Sequence, residues 1–120
     1  MLFNKELPIA FDSKKSKFTL DNNASSALTM QTTIGQGNTL VSPLHMCMIA
    51  GAICNDGNLM RPYLVDHTEN ASGALVEQNK PASYKQIMSK DQAAFLQNLM
   101  AEVVSDGTGA KIRNQSYEAF

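Results

Sequence analysis

The ten serines are the first candidates for chemistry in this chain, because an activated hydroxyl group can act as a nucleophile. A serine that is activated by lysine needs this lysine three residues later, one helical turn on, where the amine can take the hydroxyl proton. None of the ten serines has a lysine at that spacing. The patterns S-x-N, K-T-G, K-S-G and G-x-S-x-G are also absent. We therefore predict no catalytic residue in the chain.

Histidines and cysteines are the next candidates, as metal ligands. His45 and Cys47 are two residues apart in a predicted helix, so their side chains point to nearly opposite sides. His67 lies in a predicted strand without a neighbouring ligand. The acidic residues form no evident pair in the sequence. We expect both histidines to be structural or exposed, and we predict no metal site.

Two glycine-rich turns resemble phosphate-binding loops only superficially. Gly35-Gln36-Gly37 and Gly107-Thr108-Gly109 lack both the longer glycine spacing and the lysine of a nucleotide-binding motif. Turns or helix ends, where glycine adopts positive φ angles easily, are the better interpretation. We predict no cofactor.

Composition limits the remaining function classes. A chain of 120 residues with 43% hydrophobic residues is at most one ordinary soluble domain. Ten basic and eleven acidic residues, spread without blocks, give no electrostatic basis for binding nucleic acid or an anionic membrane. The longest apolar run, residues 46–54, is far shorter than the ~20 residues that span a bilayer. No charged-then-apolar leader opens the chain. We expect no membrane contact from this segment.

The two cysteines lie inside that apolar run. Cys47 and Cys54 are seven residues apart, so on a helix they share a face but are separated by ~10.5 Å along the axis. They cannot form a disulfide with each other at that distance. We expect two small buried apolar side chains, as free cysteines usually are.

Three helices are predicted around these residues. Residues 24–33 favour a short helix that ends in the turn at Gly35. Ser42 and Pro43 are a preferred N-cap and first helical residue, and they begin a second helix that continues to about Cys54. This helix is apolar on nearly every side except at His45, which is typical of a helix inside a larger body.

The third helix carries the clearest signal. Ser89 and Gln92 form a capping box, and apolar residues at helical spacing follow, which predicts a helix over 90–105. Residues 61–68 and 74–79 are β-rich and predict a β-hairpin, with residues 69–73 as the turn. Residues 1–23 are predicted as loop with short ordered pieces, and 111–120 as loop or strand. The set predicts a helix-rich α+β fold with two main helices, a short helix and a hairpin.

The order of these pieces resembles the transpeptidase domain of class B penicillin-binding proteins. The family's run G-Q-G, T-P-L-Q-M-A and I-A-N-G-G is similar to residues 34–57 here, and its P-x-L-V and G-x-x-V strands are similar to residues 61–65 and 73–76. The family's M-x-x-V-V-x-x-G-T-G is similar to residues 100–109, and F-x-L-P to residues 3–8. The departures are Ser42 for the usual threonine, His45 for the usual glutamine and Cys47 for the usual alanine.

The resemblance implies peptidoglycan D,D-transpeptidases that are acylated on serine by β-lactams. In that family S-x-x-K and S-x-N precede this stretch and K-T-G follows it, so residues 1–120 are expected to be a partial, helical part of the domain without the nucleophile. The resemblance implies that the parent binds stem peptides and β-lactams and is extracytoplasmic and membrane-anchored. The fragment itself is expected to be soluble and inactive.

Two alternatives remain at the level of sequence. In the first alternative, the chain is a stand-alone binding module that kept the helices and lost the enzyme. In the second, it is a part of a β-lactam sensor or β-lactamase relative. In the fragment interpretation the helix over 43–54 loses part of its cover, and exposed apolar surface of that kind drives association. We therefore expect a homodimer or a swapped oligomer.

Overall fold

The computed structural model describes residues 1–113. This part of the chain contains three α-helices, four short strands and a 3-10 helix. The helices are α1 (Ser26–Thr33), α2 (Pro43–Cys54) and α3 (Lys90–Ser105), and the 3-10 helix covers Thr108–Ile112. The strands are β1 (Asn58–Met60), β2 (His67–Glu69), β3 (Leu75–Gln78) and β4 (Ser83–Gln86). This is the helix-rich α+β class that the sequence predicts.

The chain divides into two compact units. Unit 1 contains Met1–Met48 and Arg61–Lys80, and unit 2 contains Ile49–Met60 and the chain from Pro81 onward. The apolar core of unit 1 includes Leu2, Leu7 and Met48. The apolar core of unit 2 includes Ala52, Leu59, Ala93 and Val104.

Helix α1 begins at Ser26, two residues later than predicted, because Ser25 is its N-cap. The Ser25 hydroxyl oxygen accepts the backbone N–H of Leu28 at 3.2 Å. The turn that follows contains two glycines with positive φ, +74° at Gly35 and +76° at Gly37. The predicted turn is therefore confirmed.

Helix α2 has the predicted bounds. Ser42 caps it, and the Ser42 hydroxyl oxygen accepts the backbone N–H of His45 at 3.2 Å. After Cys54 the chain turns at Asp56 and Gly57, whose φ angles are +52° and +81°. The predicted end of the helix near Cys54 is confirmed. The burial within the helix differs from expectation, since polar His45 is 1% exposed while Met46 is 51% exposed.

The predicted hairpin is present as the antiparallel pair β2–β3, but its first strand is much shorter than expected. Residues 61–66 lie outside any strand. Pro62 has no amide hydrogen to contribute to a ladder, which is a physical reason for the late start. A second antiparallel pair, β1–β4, was not predicted. Its strands are three and four residues long and carry no alternating apolar pattern that could reveal them.

Helix α3 also has the predicted bounds, and its capping box is formed. The Ser89 hydroxyl accepts the Gln92 backbone N–H at 3.2 Å, and Gln92 Oε1 accepts the Ser89 backbone N–H at 2.9 Å. The 3-10 helix after it replaces the loop or strand predicted from Lys111. The rest of that prediction, over 114–120, lies outside the described residues.

Candidate functional site

A buried polar pair joins the beginning of α2 to the segment before α1 in unit 1. His45 Nδ1 lies 2.7 Å from the Ser16 hydroxyl oxygen, and each residue is 1% exposed. The Ser16 oxygen also accepts the backbone N–H of Ser42 at 3.1 Å. Because Ser42 in turn accepts the backbone N–H of His45, the three residues form a closed ring of hydrogen bonds. The sequence alone did not predict this ring of hydrogen bonds.

Backbone and aromatic contacts surround this ring of hydrogen bonds. Lys17 and Leu40 form an antiparallel bridge, with N···O distances of 2.7 and 3.0 Å. The ring centroid of Phe3 lies 4.9 Å from that of His45 and 5.9 Å from that of Phe18. Asn4, at a φ angle of +60°, holds Phe18 through two side-chain hydrogen bonds of 2.8 and 3.1 Å. The pair is therefore packed within ordered structure on several sides.

The environment disfavours a charged imidazole at His45. Burial lowers the pKa of His45 below 6.5, because the imidazolium loses hydration, and the N-terminal ammonium of Met1 lowers this pKa further. A neutral histidine beside a serine hydroxyl could activate that hydroxyl as a nucleophile. With both side chains 1% exposed, however, no substrate carbonyl can reach the Ser16 oxygen. The arrangement therefore connects segments of unit 1 and does not form an active site.

His67 lies at the start of β2 and is surrounded differently from the prediction. Its Nδ1 is 2.9 Å from Asp66 Oδ2 and its Nε2 is 3.3 Å from Glu69 Oε1. The expectation that His67 has no neighbouring ligand-type residue was wrong. Glu69 lies on the same face of the strand because it is two residues away. Within residues 1–113, no group of three or more histidine, cysteine, aspartate and glutamate side chains is arranged to hold a metal ion.

Both cysteines are free thiols, but they are exposed and not buried. The expectation of burial was wrong because it came from the apolar character of α2 alone. Cys47, Gly51 and Cys54 occur at helical spacing of four and three residues, and all three are exposed. This face of α2 is not covered by the residues that the structure describes.

Helix α3 also carries an uncovered apolar stripe. Phe95, Leu99 and Val103, each four residues from the next, are 64%, 42% and 50% exposed. The opposite side of the same helix is packed, as Ala93 is 0% exposed and the Gln97 side chain donates to the Ile53 carbonyl at 2.6 Å. Unlike a surface helix of a complete domain, α3 therefore has apolar residues on both faces.

The second glycine turn closes the end of α3. A Cβ atom at Gly107 would lie 2.8 Å from the Val103 carbonyl oxygen, and one at Gly109 would lie 3.0 Å from it. The helix-end interpretation of these glycines thus has a steric basis. No helix among residues 1–113 is long and apolar enough to cross a membrane.

Comparison with known proteins agrees with this architecture. The family described as the penicillin binding protein transpeptidase domain matches residues 3–119. Peptidoglycan D,D-transpeptidase PbpA of Mycolicibacterium smegmatis is 37% identical over 79 residues, which are 64% of this chain and 16% of that protein. The crystal structure of PBPA from Mycobacterium tuberculosis superimposes with a TM-score of 0.76 at 27% identity, over 87% of this chain and 24% of that chain.

A further structure of penicillin-binding protein A from M. tuberculosis, an imipenem acyl-enzyme complex, has a TM-score of 0.68 at 29% identity. It covers 77% of this chain and 21% of that chain. The chain belongs to the penicillin-binding protein transpeptidase family, and its predicted identity as a segment of a class B transpeptidase domain is confirmed. It spans 16% of the length of the curated relative from M. smegmatis.

Proposed function

We propose that residues 1–120 are a partial transpeptidase domain that serves as non-catalytic scaffold in a peptidoglycan D,D-transpeptidase. The family match over residues 3–119 supports this proposal, together with the absence of S-x-x-K, S-x-N and K-T-G from the sequence. The parent would bind stem peptides and β-lactams through a serine that lies outside this segment. It would act at the cell envelope, outside the cytoplasm, from a membrane anchor.

The surroundings of the serines support the proposal that the isolated chain is inactive. Within residues 1–113, the serine hydroxyl that contacts a histidine is that of Ser16, and it is inaccessible to substrate. The exposed Ser105 hydroxyl donates to the Asp106 carboxylate at 3.1 Å, and a carboxylate is a much weaker base than an imidazole. A serine enzyme needs a hydroxyl that is both activated and reachable.

The test is labelling of the chain by a fluorescent penicillin, read by intact mass. The matched positive control is a longer protein from the source gene that includes any upstream S-x-x-K motif. We expect stoichiometric labelling of the longer protein and none of the 120-residue chain. Labelling of the short chain that maps to one of its own serines would refute the proposal.

Reading the coding DNA on both sides of the segment separates the scaffold from the stand-alone module. Upstream S-x-x-K and S-x-N, followed by K-T-G within a few codons of the last residue, are expected. A reading frame that opens at Met1 and closes after Phe120 would refute the scaffold proposal and favour a binding module.

We also infer that the isolated chain associates with a second copy of itself, as a homodimer or a swapped oligomer. The stripe on α3 supports this inference, because a symmetric pairing would cover Phe95, Leu99 and Val103 of both copies. Covering about half of each side chain contributes about 2–4 kcal/mol per stripe. Two stripes contribute about 4–8 kcal/mol to the free energy of association. The loss of translational and rotational freedom offsets at least about 4 kcal/mol of this.

The upper end of this range leaves about 4 kcal/mol for association, so the dimer should be weak, with a dissociation constant of about 1 mM. Sedimentation equilibrium at protein concentrations up to about 1 mM tests it. The variant Leu99→Lys places a charge in the middle of the stripe and should shift the population to monomer. A clean monomer of the unmodified chain at the highest concentration would contradict the inference.

A further inference from the structure

When the imidazole of His45 is neutral and Nε2 carries its proton, the Ser16 hydroxyl can donate to Nδ1. The Ser16 oxygen accepts the Ser42 N–H at 3.1 Å, so its own hydrogen is free to be donated to His45 Nδ1 at 2.7 Å. Nδ1 is then the acceptor nitrogen and Nε2 carries the proton. In this arrangement the Ser16 oxygen accepts one hydrogen bond and donates another.

Protonation of His45 reverses one of these bonds. Nδ1 becomes a donor, so the Ser16 hydroxyl can no longer donate to it and must turn its hydrogen elsewhere. The two neighbours of the Ser16 oxygen, the Ser42 N–H and His45 Nδ1, would then both donate to it. A positive charge would also be enclosed at a position that is 1% exposed and that packs against the Phe3 ring. Protonation therefore leaves the Ser16 hydrogen without its acceptor, and it leaves the imidazolium of His45 poorly solvated.

The ring closes one end of the loop between α1 and α2. Ser42 lies at the end of this loop, and Leu40 within it pairs with Lys17, the neighbour of Ser16. Among residues 1–113, these backbone and hydroxyl contacts are the hydrogen bonds that join residues 34–42 to the segment around Ser16. We propose that Ser16 and His45 form an acid-sensitive clamp that holds residues 34–42 against residues 16–18 and releases them when His45 is protonated.

The charged groups around the clamp act in the same direction. From the N-terminal segment the Met1 ammonium opposes a second positive charge at His45. Next to Ser16 lie Lys15 and Lys17, both exposed, and Lys15 is paired with Glu6 at 3.0 Å. The neighbours of His45 along α2, Leu44 and Met46, carry no charge. No carboxylate contacts the imidazole among the described residues.

The sign of the pH dependence follows from the lowered pKa of His45. Between its folded-state pKa and the value of about 6.5 in the unfolded chain, the open or unfolded form binds more protons than the closed form. The clamp is therefore fully present above about pH 6.5 and is lost as the pH falls toward the folded pKa. The ratio of closed to open clamp should fall about tenfold for each pH unit in this interval.

The experiment is NMR on the full 120-residue chain, with histidine titration and amide hydrogen exchange corrected for intrinsic rates. We expect His45 to titrate at lower pH in buffer than in urea. Protection of the Leu40 and Ser42 amides should fall about tenfold per pH unit between about pH 6.5 and the folded-state pKa of His45, while that of Val104 in α3 stays constant.

Three variants make the experiment specific. His45→Gln removes the titration but keeps an acceptor and a donor, so the pH step should disappear with protection retained. Ser16→Ala removes the shared hydroxyl, and protection of Ser42 should be lost at every pH. His67→Gln removes the other histidine and should leave the step unchanged.

Titration of His45 at the same pH in buffer and in urea would overturn the proposal. This holds also if the two values agree because unit 1 is already unfolded in buffer. Protection of Leu40 and Ser42 that persists after His45 is protonated would overturn it as well. These two measurements use the unmodified chain, so the proposal stays falsifiable if a variant fails to fold. They are also independent of whether the chain binds penicillin.

Discussion

Replacing Gly57 with alanine should destabilise unit 2 by about 2–5 kcal/mol, although the change adds a single methyl group. The φ angle of +81° costs an L-residue about 1–2 kcal/mol. The added Cβ would also collide with the Met88 carbonyl oxygen and lie 2.7 Å from Met88 Cγ. Overpacking of this kind costs about 1–3 kcal/mol. Any shift of Met88 disturbs the hydrogen bond that its carbonyl accepts from Gln86 Nε2 at 2.7 Å.

Two other glycines separate these contributions. Gly73 has a φ angle of +78° but open space around its Cβ position, so Gly73→Ala should cost only the conformational part, about 1–2 kcal/mol. Gly51 lies inside α2, also with nothing within 4 Å. Gly51→Ala should stabilise the chain by about 0.5–1 kcal/mol, because alanine loses less conformational entropy in a helix. The same substitution thus has three different expected outcomes.

The assay is urea denaturation combined with residue-resolved hydrogen exchange, because the two units need separate probes. Amides of α3 report on unit 2, and amides of β2 and β3 report on unit 1. If Gly57→Ala costs no more than Gly73→Ala, the close approach of Met88 does not contribute and the steric reasoning is refuted.

Three further changes are expected to have clear outcomes. Ser89→Ala should lower the stability of unit 2 by about 1 kcal/mol in urea denaturation, since it removes half of the capping box. Ala93→Leu should cost about 1–3 kcal/mol because Ala93 is 0% exposed, whereas exposed Ala94→Leu should change stability by less than about 0.5 kcal/mol. Cys47 and Cys54 should both react with a chromogenic disulfide in native buffer; a chain in which either thiol reacts only in urea contradicts their exposure.

The parts of the fold that were predictable are those with local signals. The bounds of α2 and α3 follow from Ser42 and Ser89, whose hydroxyls cap residues three positions later. The glycine turn after α1 was likewise predictable from the sequence, because Gly35 and Gly37 closely follow the end of this helix. The capping residues therefore gave the starts of α2 and α3, whereas the start of α1 was predicted two residues early because its cap, Ser25, was not recognised.

The parts that were missed depend on contacts between distant residues. Ser16 and His45 are 29 positions apart, and a lone serine and a lone histidine carry no signal of their pairing. Strand β1 pairs with β4 across a separation of about the same length, and neither strand is long enough to show an alternating apolar pattern. The burial of Cys47 was predicted wrongly. The apolar sequence of α2 indicates that parts of the helix are buried, but it does not indicate which residues are buried.

The substitution of histidine for the family's usual glutamine at position 45 is chemically mild at neutral pH. A neutral imidazole offers one acceptor nitrogen and one donor N–H, and a glutamine amide offers an acceptor oxygen and donor hydrogens, so either side chain can accept the Ser16 hydroxyl. The two side chains differ when protons become abundant, because the amide does not titrate and the imidazole does. Burial of His45 therefore makes the stability of the α1–α2 loop depend on pH in this chain, and a glutamine at the same position would remove that dependence.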